Sequence, residues 1–274
     1  MAPKLDDFMQ WPEIEALEYG ECSRPQDVLG ARMADRSHVL VTAYFPEVDS
    51  VAVRVAGAKK EYKMEEADQQ GYYGVLIPGR KIPEYVFMVE KKGKRREVPD
   101  AYAMDSLIDG MDMEKFINGC HDTIYDKLGA HPMTRDGAEG TYFAVWAPNA
   151  RAVSVVGDFN QWREDAHPMI KREPAGIYEL FVPGVGKGDL YKFSIYQSTG
   201  NRVLKADPFA NYAELRPATA SVVWDLTKYS WKDEKWLARR SKWNSEKEPV
   251  LVYEVALGAF KKPKLAGREE RDCF

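Results

Sequence analysis

The chain has 274 residues, 45% of them hydrophobic and 30% charged, and 39 Lys and Arg against 43 Asp and Glu give a formal net charge of -4. At about 150 residues per domain, this length predicts about two domains. Neither half is strongly basic, which argues against a nucleic-acid partner. No stretch approaches the roughly 18 consecutive apolar residues of a membrane helix. With an acidic N-terminus and three widely spaced cysteines (Cys22, Cys120 and Cys273), the sequence predicts a soluble, cytoplasmic protein without cofactor, metal or membrane partner.

Hydrophobic periodicity divides the chain into five parts. They are an N-terminal helical segment (1–20), a first strand-rich region (21–104), a helical linker (105–127), a second strand-rich region (128–226) and a C-terminal part with a short helix (227–274). Predicted strands about ten residues apart, without helices between them, favour antiparallel sandwiches over a parallel α/β sheet. The predicted fold class is all-β, with two tandem immunoglobulin-like β-sandwiches and short linking helices.

The two strand-rich regions contain matching residues in the same order along the chain. The matched pairs are Leu29-Gly30-Ala31 with Leu128-Gly129-Ala130 (offset 99), Pro46 with Pro148 (102), Gly71 with Gly176 (105), Tyr85 with Tyr191 (106) and Asp100 with Asp207 (107). An offset that grows slowly while the order is kept is typical of a duplication followed by loop insertions. The two sandwiches are therefore predicted to share a topology.

No set of residues in the sequence has the spacing of an active site. The four histidines, His38, His121, His131 and His167, stand alone, without a second His or Cys at metal-ligand spacing. His121 and Asp122 are adjacent, and adjacent residues on a helix point in different directions. The sequence has no glycine-rich phosphate loop and no nucleophile elbow. It therefore predicts no catalytic residue.

The sequence gives better evidence for binding. The run Gly157-Asp158-Phe159-Asn160-Gln161-Trp162 follows a predicted strand and favours a turn that carries Trp162 off the sheet. Exposed rings stack on the C–H faces of sugars, and each such contact contributes on the order of 1 kcal/mol beyond area burial. The alternative is that Trp162 folds back over the sandwich core. In the run LYKFSIY, inward Tyr191 and Phe193 would leave Lys192 pointing outward, either to bond sugar hydroxyls or simply to be solvated.

The other tryptophans and the basic cluster have structural interpretations. Trp146 is predicted to lie in the core. Core or interface packing is predicted for Trp224, Trp231, Trp236 and Trp243. The run from Lys91 to Arg96 lies between two strand-like runs and is predicted to be a solvated hairpin tip.

Long motifs make a family resemblance specific. The run TYFAVWAPNARAVSVVGDFNQW (141–162), followed by LYKFSIY (190–196) and KADPFANYAELRPATASVVW (205–224), resembles the family-48 carbohydrate-binding module of α-amylase-superfamily enzymes. More narrowly, it resembles the module of bacterial 1,4-α-glucan (glycogen) branching enzymes. The preceding region, with Arg24-Pro25 and Val28-Leu29-Gly30, is similar to the extra N-terminal domain that many branching enzymes carry.

The resemblance implies an α-1,4-glucan partner, such as glycogen or starch-like polymers. Trp162 and Lys192 match the family's sugar-contacting positions, and Asn160 lies on the same loop. Related modules often place a further tryptophan in the hairpin that here spans 197–202 without an aromatic residue. We therefore expect a dissociation constant of roughly 0.1–1 mM, or about 4–5 kcal/mol. The equivalent loop of the first region, 56–60, has no tryptophan. That region is therefore expected to serve as a packing and spacer domain rather than to bind sugar.

The resemblance also implies a missing part. The family continues from a strand of the form YEVHLG into a (β/α)₈ barrel that carries the catalytic carboxylates. Here residues 253–258 read YEVALG, with Ala256 in place of His, and the sequence ends 16 residues later. A truncation and a reading-frame slip both remain open. We expect the chain alone to be inactive and residues 244–274 to be mobile, because the unpaired strand at 250–258 has exposed edges.

Two alternative functions remain. The chain could be a stand-alone scaffold or regulatory module that docks on a separate partner, for example the missing catalytic domain if that is separately encoded. Alternatively, both sandwiches are structural only, with Trp162 buried.

Overall fold

In the computed structural model, which describes residues 4–58, 60–243, 246–247 and 249–256, the strands form four antiparallel sheets. The sheets pair into two β-sandwiches joined by short helices, so the predicted all-β class is confirmed. None of the helices in these ranges combines the length and apolar character needed to span a bilayer.

Eight strands of the described chain build the first sandwich. They are β1 (Gly30–Met33), β2 (His38–Tyr44), β3 (Ser50–Val55), β4 (Glu61–Lys63), β5 (Glu65–Glu66), β6 (Tyr72–Pro78), β7 (Tyr85–Lys91) and β8 (Lys94–Val98). One sheet has the order β1-β2-β6-β5 and the other β4-β3-β7-β8. Alternate residues of both sheets, including Val41, Val53 and Phe87, meet in one core. Lys92 and Gly93 turn between β7 and β8 with φ of 51° and 69°, which confirms the predicted hairpin tip.

The second sandwich is built from nine strands of the described chain. They are β9 (Gly129–Arg135), β10 (Ala138–Trp146), β11 (Ala150–Gly157), β12 (Ile170–Arg172), β13 (Ile177–Pro183), β14 (Leu190–Gln197), β15 (Arg202–Lys205), β16 (Tyr212–Ala213) and β17 (Ser221–Val222). One sheet has the order β12-β13-β10-β9 and the other β11-β14-β17-β16, with β15 also paired to β14. The core between them includes Phe143, Val155 and Phe193.

Helical segments cover one outer sheet face of each sandwich. The covering helices are α1 (Trp11–Glu18), α2 (Pro25–Val28) and α3 (Gly110–Ile117), and a further helix, α4 (Glu234–Arg240), follows the second sandwich in the chain. Leu17 of α1 packs with Tyr72 of the first sandwich. Phe116 of α3 packs against the cluster that holds Tyr142 and Ile177 of the second. Because β2 and β10 are covered on both faces, their residues are almost continuously buried.

The prediction that Trp146 lies in the core is wrong, because Trp146 is 54% exposed to solvent. Phe143 and Val145 point into the sandwich core, so Trp146, one residue further along β10, points to the face that the linker covers. There its ring meets Phe116 edge to face, and its Nε1 donates to the carbonyl of Ala175 at 3.1 Å. Trp231, Trp236 and Trp243 are exposed, so the core part of their prediction is wrong and interface packing stays a prediction.

The matched glycines of the two sandwiches occupy equivalent turns. Gly71 and Gly176 have φ of 106° and 69°, and a Cβ at either would stand 2.7 Å from the Cα of Pro46 or Pro148, respectively. The residue before each proline donates its amide hydrogen to the carbonyl of the matched glycine, at 2.8 and 3.0 Å. Only glycine combines this backbone conformation with so close an approach.

Residues 215–217 and the described residues between 226 and 256 form a unit separate from the two sandwiches. It contains α4, which is the short helix predicted for the C-terminal part. The strand predicted at 250–258 is not found over residues 249–256, because no neighbouring strand of the described chain pairs with them. The rest of that strand and Cys273 lie outside the described residues.

Candidate functional site

The loop after β11 reverses the chain within a few residues. A 3₁₀ turn over Asp158–Asn160 is followed by Gln161 and Trp162 with φ of 57° and 61°. The amide of Trp162 then donates to the carbonyl of Gly157 at 2.9 Å. Two successive non-glycine residues in the left-handed region cost on the order of 1 kcal/mol or more each. Contacts from the surrounding structure must therefore hold this loop.

Asn160 supplies several of these contacts. Its Oδ1 accepts from the amide of Gly157 at 2.9 Å, and its Nδ2 donates to the carbonyl of Val155 at 3.0 Å. Nδ2 also donates to Nδ1 of His167 at 2.9 Å. The side chain is buried, so these bonds satisfy it within the protein. Asn160 thus ties the loop to the end of β11.

His167 accepts the bond from Asn160 only while Nδ1 is unprotonated. Desolvation of the imidazole by burial lowers the pKa of His167 to about 4, which outweighs the opposite effect of Asp165. The ring of Phe159 lies edge to face against it, with centroids 5.7 Å apart. At neutral pH the imidazole is therefore neutral and remains an acceptor.

The Trp162 ring is half-buried on this loop. Its Nε1 donates to Oδ1 of Asp158 at 2.8 Å, which fixes the orientation of the indole. Phe159, and not Trp162, packs against the core of the second sandwich. The loop therefore presents an oriented ring with part of its surface open.

Lys192 reaches the same end of the sheet from β14. Tyr191 and Phe193 are buried in the core, which confirms that Lys192 points outward. Lys192 pairs with Val156 of β11. The next residue, Gly157, accepts the hydrogen bond from the amide of Trp162. The Nζ of Lys192 donates to Oγ1 of Thr219 at 2.7 Å. Lys192 therefore lies on the strand beside β11, at the end of β11 from which the loop with Trp162 and the buried Asn160 begins.

The loop is also anchored to the first sandwich. Arg163 donates to both carboxylate oxygens of Asp165, at 3.2 and 2.6 Å, and to Glu47 at 3.2 Å. The hydroxyl of Tyr44 donates to Asp165 at 2.6 Å. Burial by itself would raise the pKa of Asp165, but the bonds from Arg163 and Tyr44 outweigh it and lower that pKa below its ordinary value. Asp165 therefore stays charged at neutral pH and holds both partners.

A second anchor joins the loop to the N-terminal segment. Arg202 donates to the carbonyls of Tyr19 and Gly20, at 2.7 and 3.2 Å, and its Nε lies 2.9 Å from Glu164. Sequence reasoning missed both anchors. The bonds from Tyr44 to Asp165 and from Arg202 to Tyr19 each join residues more than a hundred positions apart, and no local pattern marks them.

In the described part of the chain, no group of three or more His, Cys, Asp or Glu side chains is placed to hold a metal ion. What the site offers is a partly open indole, an ammonium group and a hydroxyl. These groups suit a neutral, hydroxyl-rich ligand with apolar C–H faces.

Two family models match the chain in the order of the two sandwiches. Residues 10–102 match the model described as alpha-1,4-glucan branching enzyme GlgB, N-terminal domain. Residues 127–210 match carbohydrate-binding module 48 (isoamylase N-terminal domain).

Curated relatives cover nearly the whole chain. The 1,4-alpha-glucan branching enzyme GlgB of Thermosynechococcus vestitus is 39% identical over 90% of this chain and 33% of that protein. GlgB of Gloeobacter violaceus is 41% identical over 93% of this chain and 35% of that protein. Among solved structures, a maltotetraose-complexed pullulanase from Anoxybacillus sp. LM18-11 aligns with 84% of this chain and 29% of its own, at 19% identity and a TM-score of 0.33.

The chain spans about a third of the length of the curated relatives it matches. The match runs through both sandwiches, including the loop that carries Trp162 and the strand that carries Lys192. The two sandwiches therefore correspond to the N-terminal part of the 1,4-alpha-glucan branching enzymes, an N-terminal domain followed by a family-48 carbohydrate-binding module.

Proposed function

We propose that this chain is the glucan-binding, non-catalytic part of a branching enzyme of glycogen biosynthesis, and that it binds α-1,4-glucans weakly through the second sandwich. The matched module is described as carbohydrate-binding, and its relatives are named for a 1,4-alpha-glucan. The observation that carries the proposal is that Lys192 pairs with Val156 at the end of β11, directly before the loop that holds the half-buried Trp162.

Each side chain has a separate role in the proposal. The Trp162 ring stacks on the C–H face of a glucose unit, and the bond from its Nε1 to Asp158 holds it in orientation. The Lys192 ammonium has three donors and shares one with Thr219, which leaves others for sugar hydroxyls. Asn160 positions the loop through its bonds to Gly157 and Val155. One ring and a few hydrogen bonds support a dissociation constant of roughly 0.1–1 mM.

Native electrophoresis in glycogen-loaded and plain gels tests the site. We expect glycogen to retard the wild-type chain and Trp162→Ala to abolish that retardation. Trp146→Ala is the matched control, because it removes an exposed indole from the other sheet of the same sandwich. Equal retardation of the wild type and Trp162→Ala would contradict the proposal.

We also propose that residues 1–274 alone transfer no glucan chain. In support, the two matched models describe an N-terminal domain and a carbohydrate-binding module. Incubation of the purified chain with amylose is expected to leave the iodine colour unchanged. A shift of that colour would show branching and contradict this part of the proposal.

A further inference from the structure

A second aromatic group lies on the sheet surface that carries Lys192. We call this surface the β14 face, the outward face of the sheet β11-β14-β17-β16, with Lys192, Val222 and Tyr212. Leu190 pairs with Val222, and Val222 pairs with Tyr212. Directly paired residues of an antiparallel sheet share a face, and Lys192 lies two residues from Leu190. Sheet spacings put the Cα atoms of Lys192 and Tyr212 roughly 12 Å apart.

Tyr212 is held in place by its neighbours. Its ring centroid lies 4.8 Å from that of Trp224, with 31° between the ring planes. The Nζ of Lys187 lies 3.9 Å from the centroid of the Trp224 ring. Trp224 is half-buried, whereas Tyr212 is 50% exposed. Trp224 therefore supports a fixed aromatic surface that remains open to solvent on Tyr212.

The β14 face carries polar groups beside the apolar pair of Leu190 and Val222. Thr219 is exposed, and its hydroxyl accepts the bond from Lys192. The β14 face thus carries the Lys192 ammonium, the Thr219 hydroxyl and the Tyr212 phenol ring, and the loop with the Trp162 indole follows the neighbouring strand β11. Rings suit the C–H faces of sugars, and the polar groups suit their hydroxyls. The roughly 12 Å between the Cα atoms of Lys192 and Tyr212 exceeds one sugar unit, so only an oligosaccharide could reach from Lys192 to Tyr212.

We propose that Tyr212, supported by Trp224 and Lys187, is a second contact for an α-1,4-glucan chain that crosses the β14 face from Trp162 over Lys192. The inference rests on the proposed function and adds a chain-length preference to it. Two contacts on one ligand act together, because the second is formed within an already bound complex. Long chains therefore gain affinity from Tyr212, and short ones that reach only Trp162 do not.

Titrations of the complete 274-residue chain with maltotriose and maltoheptaose, followed by NMR shifts, test this inference. We expect Tyr212→Ala to weaken maltoheptaose binding roughly three- to tenfold and to leave maltotriose within about twofold of the wild type. Tyr212→Phe keeps the ring and is expected to retain both affinities. Tyr125→Ala, which removes an exposed tyrosine of the linker, is the matched control and is expected to change neither.

A direct readout accompanies the affinities. The indole N–H signal of Trp224 is expected to shift with maltoheptaose and not with maltotriose. If Trp162→Ala weakens both ligands and Tyr212→Ala weakens neither, the second contact is refuted and the proposed function stands. Equal weakening of both ligands by Tyr212→Ala would also refute a separate second contact. If the wild type binds neither sugar, both the inference and the proposed function fail.

Discussion

The two sandwiches share one framework. In the first, the Tyr85 hydroxyl donates to Asp100, and in the second the Tyr191 hydroxyl donates to Asp207 at 2.6 Å. In both, the other oxygen of the carboxylate accepts the amide two residues further along the chain, at 2.9 and 2.8 Å. Burial raises the pKa of both aspartates. The matched sequence pairs therefore mark buried hydrogen bonds that the fold uses twice.

The two sandwiches differ in one loop, which follows β3 in the first sandwich and β11 in the second. After β3, the described residues Ala56, Gly57 and Ala58 turn tightly and carry no aromatic side chain. After β11, the equivalent turn is longer and presents Trp162 beside Lys192. The shared framework thus keeps its buried bonds in both sandwiches, while the residues proposed to contact glucan lie in the second sandwich. Three predictions test this contrast.

The largest expected effect comes from breaking the shared framework. Asp100→Ala and Asp207→Ala each remove the acceptor of a buried tyrosine hydroxyl and of a backbone amide. We expect each to lower the free energy of unfolding by about 3–4 kcal/mol. The reason is that the buried donors lose their acceptors, so the cost of removing them from water is no longer compensated. Urea denaturation measures the effect. A large loss in one sandwich and none in the other would show that the two hydrogen bonds are not equivalent.

The second prediction concerns the pH dependence of stability and applies to the loop after β11 alone. The pKa of His167 is about 4 in the folded chain and ordinarily 6.5, so between these values the unfolded chain binds more protons. The contribution of His167 is fully present above pH 6.5 and is lost as the pH falls to 4. We expect a loss of about 2–3 kcal/mol over this range. His167→Gln should remove this part of the pH dependence, and an unchanged profile would contradict the assignment.

Several features of this fold could be predicted from local sequence. Alternation in LYKFSIY places Lys192 outside because Tyr191 and Phe193 are the apolar members of a period-two pattern. The glycine and proline matches locate equivalent turns because a positive φ and a close approach leave little choice of residue.

Other features depend on distant parts of the chain and have no local signal. Trp146 was expected in the core, but β10 is apolar on both faces, and alternation cannot tell which face the linker covers. The buried bonds of Asn160 depend on where His167 returns to the loop. The bond between Tyr44 and Asp165 joins residues 121 positions apart. Such contacts follow from the packing of the two sandwiches, which no single segment encodes.

The smallest expected effect tests whether the first sandwich, which lacks the aromatic loop, still contributes to binding. Tyr44 of β2 donates to Asp165, and Asp165 in turn holds Arg163, the residue next to Trp162. Tyr44→Phe removes one bond of this anchor and leaves the bond from Arg163 in place. We expect a loss of about 1 kcal/mol in the free energy of unfolding and a weakening of glucan binding by about twofold.

Tyr85→Phe is the control that separates positioning from stability. Its hydroxyl also bonds a buried aspartate of the first sandwich, Asp100, which is outside the binding loop. Tyr85→Phe should lower the free energy of unfolding by at least as much as Tyr44→Phe does. It should leave glucan affinity unchanged, because the anchor through Tyr44 and Asp165 is intact. Equal effects of both variants on affinity would mean that the first sandwich acts only through overall stability. A weaker affinity in Tyr44→Phe alone would mean that one copy of the duplicated sandwich positions the loop with which the other binds.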